Sequence, residues 1–163
     1  MLKLSKKSEY ALMALQFLGA VPAGERVAVP TLAEQRGLPK DLLAKVMQQL
    51  KRAGLVRSVQ GVAGGYELAK PLEQITFLEA IEPFEEALGL VQCVDAHSEG
   101  CERADCCSLH DPMDALNRWL MVQLGTLTLA EFVAARPPSV LGCVRSPRAT
   151  ATSMERRPLP CEA

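Results

Sequence analysis

The chain reads as a mainly α fold, a winged helix-turn-helix with a two-stranded β wing and a long C-terminal dimerisation helix. Three observations predict it. Two helical patterns of unequal length meet at Gly37, an alternating strand-turn-strand stretch follows them over 55–69, and a distal stretch over 112–124 is too apolar for a helix facing solvent. The 163 residues, 48% of them apolar, suffice for one ordinary core with an appendage.

Taken in order, Ser5 can cap a first helix whose Tyr10, Leu12, Met13, Leu15, Phe17 and Leu18 make it largely buried, and which ends near Gly19 to Pro22. After the polar linker 23–26, Pro30 suits the first turn of a short helix over 30–36, with Leu32 and Ala33 inward and Gly37 as its breaker. Leu38 and Pro39 open a longer helix in which Leu42, Leu43, Val46, Met47 and Leu50 recur at helical spacing. That spacing leaves Lys40, Asp41, Lys45, Gln48, Gln49, Lys51 and Arg52 outside, with Gly54 as the stop. Such a pair is a helix-turn-helix whose second helix has the dimensions to enter a major groove, although helical spacing alone equally fits an αα-hairpin with no ligand.

The next segment decides between them. Residues 55–59 alternate like a strand, Gly61, Gly64 and Gly65 can supply the positive-φ residues of a hairpin turn, and 66–69 alternate again. This is a wing placed directly after a recognition helix, and its polar face carries Arg57 and Gln60, within reach of phosphates or a minor groove.

Thr76 and Glu79 make a capping box that starts a helix over 77–88. Asp111 and Pro112 provide the cap and first turn of a helix over 112–124, whose Met113, Leu116, Trp119, Leu120, Val122 and Leu124 require a partner to cover them. Thr128 and Glu131 form a second capping box for a last short helix reaching 135. Beyond it, five prolines and few large apolar residues predict a disordered tail over 136–163, in which Cys143 and Cys161 are incidental thiols. The organisation expected is a DNA-binding domain over 1–88, a cysteine loop over 89–110, the dimerisation helix and short terminal helix over 111–135, and the tail.

Charge divides along the same line. Residues 1–70 hold 11 Lys and Arg against 5 Asp and Glu, a net of +6, while residues 71–163 hold 7 against 14, a net of −7. A basic half suited to a polyanion is thus joined to an acidic half with another task. No apolar run approaches the roughly 20 residues of a membrane span, and the basic N-terminus lacks a small-residue cleavage site, so a cytoplasmic protein without a membrane partner is expected.

In a reducing cytosol six cysteines point to metal or thiol chemistry rather than disulfides. Cys93, Cys101 and Cys107 lie in a Gly- and acid-rich loop, with seven residues between the first two and five between the last two, and His110 follows one turn later. Soft thiolates clustered where no core needs them suit an iron–sulfur cluster or a zinc ion. Cys106 adjoins Cys107, and neighbouring side chains diverge, so the two do not easily serve one cluster; His97 is a solvated loop residue.

The strings Ser8-Glu9-Tyr10-Ala11-Leu12, Leu32-Ala33-Glu34, Leu50-Lys51-Arg52-Ala53-Gly54-Leu55-Val56, Gly64-Gly65-Tyr66-Glu67-Leu68-Ala69 and Ile75-Thr76 make the chain resemble the Rrf2 family of bacterial winged-helix regulators, over about residues 1–135. That resemblance implies a homodimer that places two recognition helices in successive major grooves of operator DNA, with the long C-terminal helix crossing to the partner. It also implies an iron–sulfur cluster, 2Fe-2S or 4Fe-4S, on Cys93, Cys101 and Cys107. One branch of the family matches His110 as the fourth ligand, and another places an acidic ligand where Glu9 stands.

The function expected is therefore a DNA-binding transcriptional regulator that senses iron–sulfur status, redox state or nitric oxide. Lys40, Lys45, Arg52 and Arg57 are placed for phosphates, and Asp41, Gln48 and Gln60 for base edges. A zinc- or thiol-based regulator without a cluster is the nearest alternative. A thiol oxidoreductase is poorly supplied, with no Cys-x-x-Cys pair and two histidines, and a protein-interaction module is disfavoured by the basic half.

Overall fold

The computed structural model describes residues 4–22, 24–61, 64–85, 88–91, 94 and 107–134. Helix α1 (Lys6–Ala20) starts where the Ser5 hydroxyl accepts a hydrogen bond from the Ser8 amide. Its innermost stripe is Ser8, Ala11, Ala14, Leu15 and Leu18, while Tyr10, Leu12, Met13 and Phe17 are half-buried. The helix is largely buried as its apolar residues predict, with Leu15 and Leu18 inside the core and Tyr10, Leu12 and Phe17 packed against its edge. Small Ala11 and Ala14 occupy the central positions and let the next helices approach closely, which pushes the larger side chains to the flanks. Phe17 packs there beneath the Arg36 guanidinium, 5.2 Å from its ring centroid.

Helix α2 (Val29–Arg36) carries Pro30 in its first turn and stops at Gly37 in the left-handed region, φ 63°. Helix α3 (Lys40–Arg52) begins beyond Pro39, with Asp41 in its first turn and Lys51 and Arg52 in its last, each matching the sign of the helix dipole. Leu43, Val46, Met47 and Leu50 are fully buried against α1 and α2. Gly54, at φ 74°, turns the chain into the wing.

The wing is an antiparallel pair, β1 (Val56–Val59) and β2 (Gly65–Leu68), in the register Val56↔Leu68, Arg57↔Glu67, Ser58↔Tyr66, Val59↔Gly65. A third piece of backbone completes it. Val27 and Tyr66 exchange two N–H to O bonds at 3.0 and 2.9 Å, so the segment between α1 and α2 pairs with the outer edge of β2. Among the wing glycines Gly61 takes a positive φ of 127°, whereas Gly64 and Gly65 do not. Their requirement is space: a Cβ on Gly65 would lie 2.8 Å from Val27 carbonyl atoms, and one on Gly64 would lie 2.5 Å from the Val59 oxygen.

After a 3-10 turn (Leu72–Gln74), α4 (Phe77–Ile81) begins in the capping box of Thr76 and Glu79. It gives way to a 3-10 turn at Glu82–Phe84 rather than running to 88. Pro83 is the reason, since it lacks the amide that an α-helix would aim at the Glu79 carbonyl and its ring crowds that group. Helix α5 (His110–Thr126) starts two residues before Pro112 and ends two beyond Leu124. Asp111 therefore stands inside the first turn, where its charge complements the dipole, instead of capping it.

Helix α6 (Leu129–Val133) opens on the second capping box, Thr128 and Glu131. The two boxes meet: Phe77 N–H donates to Leu127 O and Leu129 N–H to Ile75 O, both at 2.8 Å, so Thr76 and Thr128 face one another in an antiparallel bridge. Leu129 enters the main core and Phe132 packs edge-on against Phe77, with centroids 4.9 Å apart. These contacts fix the distal end of α5 to the winged domain.

Candidate nucleic-acid interface and thiolate site

Because Leu43, Val46, Met47 and Leu50 are locked inward, the opposite face of α3 is set by helical geometry. Lys40, Asp41, Lys45, Gln48 and Arg52 all lie exposed there. Gln49 departs from expectation: it is half-buried, and its amide donates to the carbonyl of Pro83. In the wing Arg57 and Gln60 are both exposed. Arg57 is not wholly free, since its guanidinium lies 3.4 Å from the Glu67 carboxylate directly across the ladder, and Arg26 approaches the same carboxylate at 3.7 Å. The Arg57 side chain is 65% exposed and that of Glu67 19%, so a phosphate would meet the guanidinium from its solvent side while Glu67 stays paired with Arg26. Two basic side chains share this one carboxylate, which leaves the three-member cluster at +1.

Of the thiolate candidates, Cys93 and Cys101 lie outside the described residues, as do Cys106 and His97. Cys107 and His110 are described, and both are half-buried. They stand on one turn at the mouth of α5, where the His110 amide donates to the Cys107 carbonyl at 3.1 Å. The His110 Nδ1 is 3.2 Å from Asp111 Oδ1. In the tautomer that carries its proton on Nδ1, this carboxylate accepts it and Nε2 keeps the lone pair that ligates metals. The described donors, a thiol and an oriented imidazole beside a helix N-terminus, fit a soft metal or cluster site in chemistry. Among the described residues no three His, Cys, Asp or Glu side chains come together as a metal-holding group.

Glu9, the other candidate ligand, lies in the first turn of α1 and bonds Lys6 at 2.5 Å, whose ammonium it holds above the usual lysine range. One residue away Ser8 is fully buried, and its hydroxyl donates at 2.5 Å to Glu85, which also accepts the Ser5 amide at 2.8 Å. Neither the Gln49 contact nor the Glu85 contact was legible in the sequence. Their partners lie 34 and 77 to 80 positions away, and no local pattern carries that information. A cleft of about 550 Å³ at the wing base, bordered by Leu18, Pro22, Arg57, Lys70 and Leu72, is open-sided and of mixed polarity rather than an enclosed ligand pocket.

Residues 4–135 match the model of a family described as Rrf2, iron-dependent transcriptional regulator. Protein aau3 of Rhizobium meliloti (strain 1021) is 33% identical over 138 residues, spanning 83% of this chain and 88% of its own. Among solved structures, CymR (YrzC), the global cysteine regulator of B. subtilis, superposes with a TM-score of 0.62 at 26% identity over 82% of this chain and 98% of its own. IscR of T. potens gives a TM-score of 0.62 at 26% identity, covering 82% of this chain and 87% of its own.

Proposed function

This chain belongs to the Rrf2 family of transcriptional regulators rather than to any class of enzyme, and on that premise we propose that it is a cluster-bearing sensor that binds operator DNA as a homodimer. Helix α3 enters the major groove through Asp41 and Gln48, with Lys40, Lys45 and Arg52 on the flanking phosphates. The wing lays Arg57 and Gln60 along the backbone or the adjacent minor groove. A symmetric partner covers the exposed α5 row, bringing two recognition helices to one face of the duplex in the cytoplasm. No described helix is long and apolar enough to cross a membrane.

The observation that carries the sensing part is the turn at the mouth of α5, where half-buried Cys107 and His110 share one turn and the His110 amide donates to the Cys107 carbonyl. Cys93, Cys101 and Cys107 are the thiolate ligands in this proposal, with His110 as the fourth and Glu9 as its alternative. An iron–sulfur cluster, 2Fe-2S or 4Fe-4S, would supply a group responsive to redox state and nitric oxide. Ligation by Cys107 and His110 would fix the first turn of α5, whose other end is bonded to the winged domain at Leu127 and Leu129.

Anaerobic purification followed by an absorption spectrum with iron and sulfide analysis tests this directly. A coloured protein binding both elements is expected, with operator affinity about 5–150-fold different between loaded and stripped forms. Pale, iron-poor protein after supply of ferrous salt and sulfide overturns it. A regulator working through thiols without a cluster is the second reading, favoured by a likeness to the B. subtilis cysteine regulator equal in identity and TM-score to that to IscR. Iron-free protein whose operator affinity changes on thiol oxidation identifies that case.

A further inference from the structure

Three consecutive residues close the winged domain before the cysteine-bearing stretch, the outer two bonded to different helices and the middle one buried in the core. The Pro83 carbonyl accepts the Gln49 amide from α3, Phe84 is buried in the core, and the Glu85 carboxylate takes both the Ser5 amide at 2.8 Å and the Ser8 hydroxyl at 2.5 Å in α1. We propose that Pro83–Phe84–Glu85 is a strap through which the state of the thiolate segment reaches the recognition helix, with Gln49 and Glu85 as its positioning residues.

Physical chemistry gives these bonds weight. The Ser8 side chain is fully removed from water, so its hydroxyl must be paired, and of the two groups in reach the Glu85 carboxylate at 2.5 Å is closer than the Ser5 hydroxyl at 3.2 Å. Bonds to an ionised carboxylate are stronger than neutral ones, and this carboxylate also sits at the positive end of α1. Gln49 points the same way. Its neighbours Gln48, Lys51 and Arg52 face solvent, yet its amide turns inward to the Pro83 carbonyl.

The strap also meets both candidate ends of the sensor. Glu85 precedes the segment holding Cys93 and Cys101 in the chain, and Ser8 adjoins Glu9. Phe84, at 8% exposure, belongs to the same close-packed core as the inward residues of α1 and α3. A chain of packed and hydrogen-bonded residues of this kind modulates coupling by about 2- to 30-fold when broken.

The strap presupposes the sensing function proposed above, and two measurements on full-length protein separate the two. In amide hydrogen exchange, Glu85→Ala is expected to raise exchange about threefold or more in the first turn of α1 and also in the last two turns of α3, while Glu85→Gln, which keeps an acceptor oxygen but not the charge, raises it by clearly less. Changes confined to α1, or an equal effect of Glu85→Gln, overturn the strap. In operator binding, the affinity ratio between iron–sulfide-reconstituted and stripped protein should shrink in both Glu85→Ala and Gln49→Leu. The double variant should shrink it no further than the stronger single, as members of one pathway do. An unchanged ratio in both single variants overturns the strap. A ratio of one in the unsubstituted protein refutes the sensing function instead, and the exchange pattern then still decides the strap.

Discussion

At the scale of single residues, the wing depends on an absent side chain. Gly65 brings its backbone against Val27, where a Cβ would stand 2.8 Å from the carbonyl carbon and oxygen. Gly65→Ala is therefore expected to destabilise the protein by about 1–3 kcal/mol, seen as a lower urea midpoint, because backbone rather than a flexible side-chain end must give way. The Thr76 cap is a second such point, and Thr76→Ala should cost about 0.5–2 kcal/mol in the same measurement. Its partner Glu79 adds a pH dependence. The Thr76 amide, and after it the Lys70 ammonium, hold the Glu79 carboxyl below its ordinary value of 4.5. A carboxyl depressed in the folded state contributes stability that is whole above 4.5 and drains away as the pH falls through the lowered value. Urea midpoints should accordingly fall on acidification below 4.5, and Glu79→Gln should flatten part of that acid limb.

At the scale of elements, the proposed duplex contact rests on the two faces of α3. The inward set Leu43, Val46, Met47 and Leu50 holds α3 rigid, and the outward set is free for a duplex. Lys45→Ala and Arg52→Ala should each weaken operator and random duplex alike and reduce the slope of log affinity against log salt by about 1. Gln48→Ala should instead relax preference at one base pair, costing about 1–3 kcal/mol of discrimination while leaving the salt slope unchanged. Competition titrations across salt concentrations distinguish the two outcomes. A flat salt response for both basic substitutions would remove α3 from the phosphate contact.

At the scale of the whole molecule, α5 is the element left unfinished by a single chain. Its exposed row of Leu116, Trp119 and Val122 continues from Leu109, with exposures of 48%, 50%, 58% and 65%. No residue of α5 is buried, although its distal end is bonded to the winged domain through Leu127. An exposed apolar row of this kind is the surface on which the proposed homodimer would associate. The double substitution Leu116→Glu with Trp119→Glu should convert dimer to monomer in sedimentation equilibrium. Far-UV circular dichroism should stay intact, since the α4-facing side of the helix is untouched. Persistence of the dimer would place the interface elsewhere.

The sequence by itself determined the succession of elements, because capping boxes, glycine stops and apolar spacing act over three or four residues. Thr76 with Glu79, Thr128 with Glu131, and Gly37 and Gly54 all perform in the fold the roles that spacing predicted for them. The solvent face of α3 was equally legible, since a helix with one face buried presents the other. Tertiary structure alone decided what depended on distant partners. It set Ala11 and Ala14 at the centre of α1, brought Val27 to the edge of the wing, and drew Gln49 inward to Pro83. It also joined Glu85 to Ser5 and Ser8 across 80 and 77 positions. Local preference is a property of a few adjacent residues, whereas close packing and the satisfaction of buried polar groups belong to the folded chain as a whole.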